Sequence, residues 1–181
     1  MTIKTRRVVT GHDANGKAIC VSDSYATNIL QRPTRPGVTL TNLWQTTRTP
    51  AEYDGEEETV DGPFILHPPH HGTVFRVIEF EPEDPEVIKT LDGKAAFAEM
   101  GASSNIVEGA RHPFMHKTES VDYAVILKGE IYMLMDEEDV LLKSGDTVIQ
   151  RGTNHAWSNR GTESCMIAFI LIDGVDRHTP E

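Results

Sequence analysis

The chain has 181 residues, of which 38% are hydrophobic, and it carries a formal net charge of −11. That length sets one domain as the expectation and gives room for a core that needs no staples. The acidic balance disfavours nucleic acid and anionic membrane surfaces as partners, and no apolar run reaches the roughly 18 residues a membrane span needs.

Read in chain order, the start "MTIKTRRVVTGHDANG" has basic residues but no apolar stretch after them, unlike a secretory leader. The two cysteines, Cys20 and Cys165, lie far apart, which suits a reducing cytoplasm better than a disulfide framework. "RRVVTG" and "KAICVS" read as two strands around the turn "DANG". Residues 23–37 contain Pro33 and Pro36 and read as an irregular, extended connection. "GVTLTNLWQT" (37–46) alternates as a strand does. The acidic run "EYDGEEETVDG" (52–62), like "MDEEDV" (135–140), reads as a solvated loop. "HPPHHG" (67–72) holds His67, His70 and His71, and its prolines favour a turn or surface role over a metal cluster. "TVFRVIEFEP" (73–82) is a strand. The helix candidate is 84–103, with Pro85 in its first turn and Gly93 able to divide it into two pieces.

From residue 105 the chain reads as almost purely β. Strands are expected near 113–118, 121–127, 130–135, 138–142, 146–150, 154–158 and 164–172. Short strands at even spacing predict an all-β fold, a small barrel or jelly roll. Within them, His116 and Thr118 share one strand face, Asp122 shares another with Ala124 and Ile126, and His155 shares a third with Trp157. If those faces point inward, two imidazoles and a carboxylate converge, a donor set suited to Fe(II) and acceptable to Zn or Mn. Each polar residue could instead be satisfied separately, with Asp122 capping a turn and the histidines bonded to main-chain carbonyls.

The spacing over 109–159 resembles the two signature motifs of the cupin superfamily. The first, G-x5-H-x-H-x3,4-E-x6-G, is met by His116, Thr118, Asp122 and Gly129. The second, G-x5-P-x-G-x2-H-x3-N, is met by Gly145, Gln150, Gly152, His155 and Asn159, one residue short. The resemblance implies a cupin-type jelly-roll barrel, with 105–175 as its core. Residues 1–104 would be extra strands, loops and a short helical segment that complete or extend the barrel, and because these strands exceed what a minimal barrel needs, their sheet edge is expected to supply a homodimer interface. It also implies His116, Asp122 and His155 as ligands of a divalent ion (Fe, Zn, Mn or Ni). Thr118 stands where the family has His, and Asp122 where it has Glu. His112, on the parity of His116, is a substitute ligand if the chain folds back, and Glu119 is one only if the strand is irregular. Thr118, Tyr123, Arg151 and Trp157 are the candidate substrate contacts, with Arg151 placed to grip a carboxylate.

Three functions remain in view. One is a metal-dependent enzyme acting on a small organic molecule, as an oxygenase-type oxidoreductase or as an isomerase or lyase such as a dehydratase. The second is a metal-free barrel that binds or senses a small ligand. The third, a storage protein, is disfavoured by the polar residues of the expected cavity.

Overall fold

A computed structural model describes residues 4–55 and 58–177. Glu56 and Glu57 of the acidic run, and the first three residues of the N-terminal stretch, lie outside them. The strands are β1 (Arg6–His12), β2 (Ala18–Tyr25), β3 (Ile29–Arg32), β4 (Arg35–Thr46), β5 (Thr73–Phe80), β6 (Ser120–Lys128), β7 (Glu130–Leu134), β8 (Asp139–Lys143), β9 (Thr147–Arg151), β10 (Ala156–Ser158) and β11 (Cys165–Asp173). They form a six-stranded sheet in the order β3-β4-β5-β11-β6-β9, a three-stranded sheet β10-β7-β8, and the separate β1–β2 hairpin. All pairings are antiparallel.

The two larger sheets close on one core, giving the jelly-roll barrel expected from the strand pattern. Val38, Leu40, Phe80, Ile126 and Ile167 from the six-stranded sheet meet Ile131, Met133, Leu142 and Trp157 from the smaller one. Two short helices, α1 (Pro85–Ile88) and α2 (Gly93–Ala98), lie where the single interrupted helix was expected. Asp84 and Asp92 cap them, accepting from the main-chain N–H of Glu86 and Ala95. A Cβ at Gly93 would lie 1.9 Å from the carbonyl oxygen of Pro113. The glycine therefore lets α2 press against the 112–115 turn, which brings Phe97 and Met100 into the core.

Two expected segments differ. Residues 23–37 are not irregular: they hold the end of β2, all of β3 and the start of β4. The prolines interrupt little, because Pro33 falls in the turn between β3 and β4 and Pro36 lies near the start of β4. The strand expected near 113–118 is instead a turn followed by an isolated bridge at His116. Met115 N–H donates to the His112 carbonyl across that turn.

The hairpin is tied to the barrel by Arg7. Its guanidinium donates to the Leu43 carbonyl and to both oxygens of Glu58, in the acidic run. Those hydrogen bonds hold the Glu58 carboxyl down at about 2, against an ordinary 4.5. A depressed carboxylate stabilises the fold above its unfolded value, and the stabilisation fades as pH falls from about 4.5 toward 2. Because Glu58 is 37% exposed, the pair contributes only about 1 kcal/mol after solvent screening. Glu58→Gln is expected to lose that amount in urea unfolding at pH 7, with the gap to the parent closing toward pH 2. A gap that persisted undiminished at the acid end would disprove the assignment.

Candidate functional site

His116 and His155 come together through the backbone. His116 N–H donates to the His155 carbonyl at 2.9 Å, and His155 N–H donates back to His116 at 3.0 Å. Residues paired this way in an antiparallel ladder put their side chains on one face. The imidazole centroids consequently lie 4.4 Å apart.

Each ring is also oriented. The Nδ1–H of His116 donates to the Phe114 carbonyl at 3.0 Å, and that of His155 to the Thr153 carbonyl at 3.0 Å. A carbonyl can only accept, so Nδ1 carries the proton and Nε2 keeps its lone pair. Gln150 stands where the second motif has proline. Its Nε2 donates to the same Thr153 carbonyl at 2.9 Å, and the side chain is buried. It fastens the turn before His155 by hydrogen bonding, where proline would do so by its fixed φ. Burial, then the neighbouring imidazole, pulls His116 down to about 3, and burial lowers His155. Both rings are neutral near pH 7, the form that ligates a metal.

The pair faces a cavity of about 90 Å³. Leu40, Ile78, Phe80, Phe97, Met100 and Trp157 make much of its wall. Phe97 packs on His116 at 4.6 Å between centroids, and Trp157 meets His155 edge-on at 5.9 Å. Thr118 and Asp122 also line it, and both are buried. Burial pushes the Asp122 carboxyl up to about 6, and its Oδ1 has no hydrogen-bond partner.

The two imidazoles thus fit a metal ion, by lone pairs left free and main-chain carbonyls that fix the rings. Asp122 fits less well. Its carboxylate and the two imidazoles do not all bring ligand atoms within 4.8 Å of one another. The aspartate is one methylene shorter than the glutamate of the motif, and its Cα is held by pairing with Leu171 on one side and Gln150 on the other. Among the described residues, the group that does meet that spacing is His70, His71 and Asp173, on the surface. There the "HPPHHG" turn is anchored by His71 N–H donating to Asp173 at 2.6 Å.

Two of the expected substrate contacts lie elsewhere. Tyr123 is 44% exposed, because it alternates with inward-facing Asp122 and Ala124 on β6. Arg151 alternates with inward-facing Gln150 on β9 and is exposed for the same reason. Glu119 is exposed as well. His112 is half-buried and forms no part of the cavity wall. The cations that do line the cavity are Arg32, Arg35 and Arg76, all three buried. Arg76 carried a signal in the sequence. It shares its strand face with Val74, Ile78 and Phe80, so it is a cation on an otherwise apolar face. Arg32 and Arg35 carried none, because their segment did not read as a strand.

The motifs' other residues shape the frame. Asn159 is fully buried, donates to the carbonyls of Phe80 and Glu163, and accepts from Gly161 N–H. No helix among the described residues is long and apolar enough to cross a membrane.

The family comparison agrees with this architecture. Residues 103–172 match the model of the Cupin domain. The chain is 29% identical to "Phomopsin biosynthesis cluster protein C'" of Diaporthe leptostromiformis, over 92% of this chain and 77% of that protein. It is 27% identical to "Cupin-domain-containing oxidoreductase virC" of Hypocrea virens, over 94% and 76%. Among solved structures, a putative ethanolamine utilization protein Q from Salmonella typhimurium aligns over 96% of this chain and all of its own, with 9% identity and a TM-score of 0.46. Both motifs thus lie on one jelly-roll barrel, inside the residues 103–172 that match the domain model, and the chain carries a Cupin domain over that segment.

Proposed function

We propose that this protein is a metal-dependent cupin oxidoreductase acting on a small, largely apolar organic molecule in the barrel interior, with His116 and His155 as the metal ligands. The observation that carries the reading is the pair of neutral imidazoles, each tied back through Nδ1 and each facing an apolar cavity. Relatives that match across most of this chain, from Hypocrea virens and Aspergillus ruber, bear the description "Cupin-domain-containing oxidoreductase", which supports the class of chemistry.

A divalent ion such as iron, bound here, would supply redox chemistry and Lewis acidity. The chain's own residues do the rest. The Phe114 and Thr153 carbonyls fix the imidazole planes. Trp157 and Phe97 keep water from the rings. Asp122 places a negative charge on the cavity wall, where it lowers the cost of a cation nearby.

The test is metal content, measured on untagged protein after anaerobic loading with Fe(II), Zn(II), Mn(II) or Ni(II). About one ion per chain is expected, from a single two-histidine centre. The double variant His116→Ala/His155→Ala should hold nearly none, whereas His70→Ala/His71→Ala should match the parent. Equal metal in parent and His116/His155 variant would place the ions at the surface group and sink the reading. If no ion is retained at all, the cavity is a metal-free ligand site. The partnerless Oδ1 of Asp122, and the failure of the three side chains to meet a common ligand spacing, favour that alternative.

A further inference from the structure

The "HPPHHG" turn holds an arrangement that the cavity does not use. His70, His71 and Asp173 each offer a ligand atom, and the three atoms lie within 4.8 Å of one another. Two imidazoles and a carboxylate are a donor set for divalent transition ions, whereas Mg(II) and Ca(II) take oxygen ligands. His70 Nδ1 already stands 3.2 Å from Asp173 Oδ2. That is close to the separation of about 3.3 Å between two ligand atoms bound at roughly 2.0–2.1 Å to a tetrahedral ion. His67, the third histidine of the turn, is not in the group, and its Nε2 meets Asn105 Oδ1 at 3.0 Å.

The backbone brings these groups together. Successive residues of an extended chain send their side chains to opposite faces. His71 has φ +57°, the one non-glycine residue among the described residues at positive φ, and its ring lies 3.8 Å from that of His70, centroid to centroid. This left-handed residue is pinned from both sides. Its N–H donates to Asp173 Oδ2 at 2.6 Å, and its carbonyl accepts from Thr49 Oγ1 at 2.9 Å. Gly72 N–H donates to the Pro69 carbonyl at 2.8 Å, and Asp173 N–H donates to the Gly72 carbonyl at 3.0 Å. Pro68 and Pro69 add fixed φ angles. The prolines that mark a turn thus also preorganise it, which lowers the ordering cost of holding a ligand. His70 is 78% exposed and Asp173 22%, so an ion has open access and keeps water on its remaining positions.

We propose that His70, His71 and Asp173 form a surface site for a borderline divalent transition ion such as Zn(II), Cu(II) or Ni(II), separate from the cavity. Three protein ligands on a solvent-facing turn make it the weaker of the two centres, with Kd on the order of micromolar. An ion held so loosely leaves with the free metal, so it adds nothing to the retained ion counted in the metal-content test. When bound, it joins the turn before β5 to the last residue of β11, the strand with which β5 pairs. The proposal does not depend on the cavity holding a metal.

The experiment is calorimetric titration of chelator-treated His116→Ala/His155→Ala protein with Zn(II) alone, near neutral pH and with free metal present throughout. About one Zn(II) per chain is expected, at micromolar affinity. His70→Ala and His71→Asn, made in that background, should each weaken it at least about 10-fold, asparagine being chosen because it tolerates the left-handed backbone. Asp173→Asn keeps an oxygen to accept from His71 N–H but loses the charge, and should weaken Zn(II) by a similar factor. Cu(II) bound to the same background should show two coordinated nitrogens by electron paramagnetic resonance, and one after His70→Ala. No Zn(II) uptake at millimolar concentration overturns the proposal. So does an affinity unchanged by any one of the three substitutions, which would mark adventitious binding by other surface side chains. If the background does not fold, the titration is run on the parent, where a micromolar event must vanish with His70→Ala/His71→Asn. That event and the retained cavity ion are read separately, so either can fail without the other.

Discussion

Asp122→Glu is expected to tighten metal binding by at least about 10-fold, on the scale of outer and inner ligand changes at such centres. The aspartate's Cα cannot advance, being held in register between β9 and β11. The side chain can, because one added methylene extends it by about 1.5 Å. It already points into a cavity, so the added group has space and avoids the usual cost of overfilling a core. Asp122→Asn is expected to act the other way, removing the negative charge while keeping the shape. Competition against a chromophoric chelator measures both. Identical affinities for the parent, the glutamate variant and the asparagine variant would mean that this carboxylate has no part in holding the ion.

The second large effect is structural. Gly129→Ala should destabilise the fold by about 3 kcal/mol, lowering Tm by roughly 6–12 °C for a domain of this size. Gly129 is the single residue linking β6 to β7, and its φ is +75°. A Cβ there would lie 2.7 Å from the carbonyl oxygen of Ser164 and 3.1 Å from the Cα of Cys165, both main chain and neither free to move aside. Gly145 offers the control. Its φ is +95°, but a Cβ there meets nothing within 4 Å. Gly145→Ala should therefore show the backbone strain alone, about 1–2 kcal/mol. Equal melting shifts for the two variants would refute the steric part of the account.

These two cases mark what was legible in the sequence. The strands from β6 to β11 could be read because their apolar residues alternate and glycines or acidic turns punctuate them. The interrupted helix could be read because Pro85 and Gly93 act locally. Where a tertiary contact decided the outcome, the reading failed. The 113–118 segment has strand-like composition, but the turn at His112–Met115 ends any ladder before His116. Residues 23–37 carry two prolines, yet a turn between paired strands absorbs the first.

The site divides along the same line. His116, Thr118, Asp122 and His155 were found by motif spacing and Trp157 by sharing a strand face with His155, and all five line one cavity. Arg151 was chosen for its closeness to His155 in the chain, but strand alternation turns it outward. The arginines that line the cavity come from β3, β4 and β5, well before the first motif in the chain, and only the sheet order brings them there. The shorter reach of Asp122 relative to glutamate was legible from its length, and its fixed place between β9 and β11 was not.

The reciprocal hydrogen bonds between His116 and His155 have a consequence for how this protein tolerates change in its chain. The spacing of the imidazoles is set by main-chain register, so side chains around them can be exchanged with little effect on that distance. Length is another matter. One residue inserted between Ile106 and His116, or removed between Gly152 and His155, would shift the pairing by one position and turn one ring to the opposite face. Substitution and insertion therefore act on this centre through different parts of the molecule, the first on its surroundings and the second on its existence.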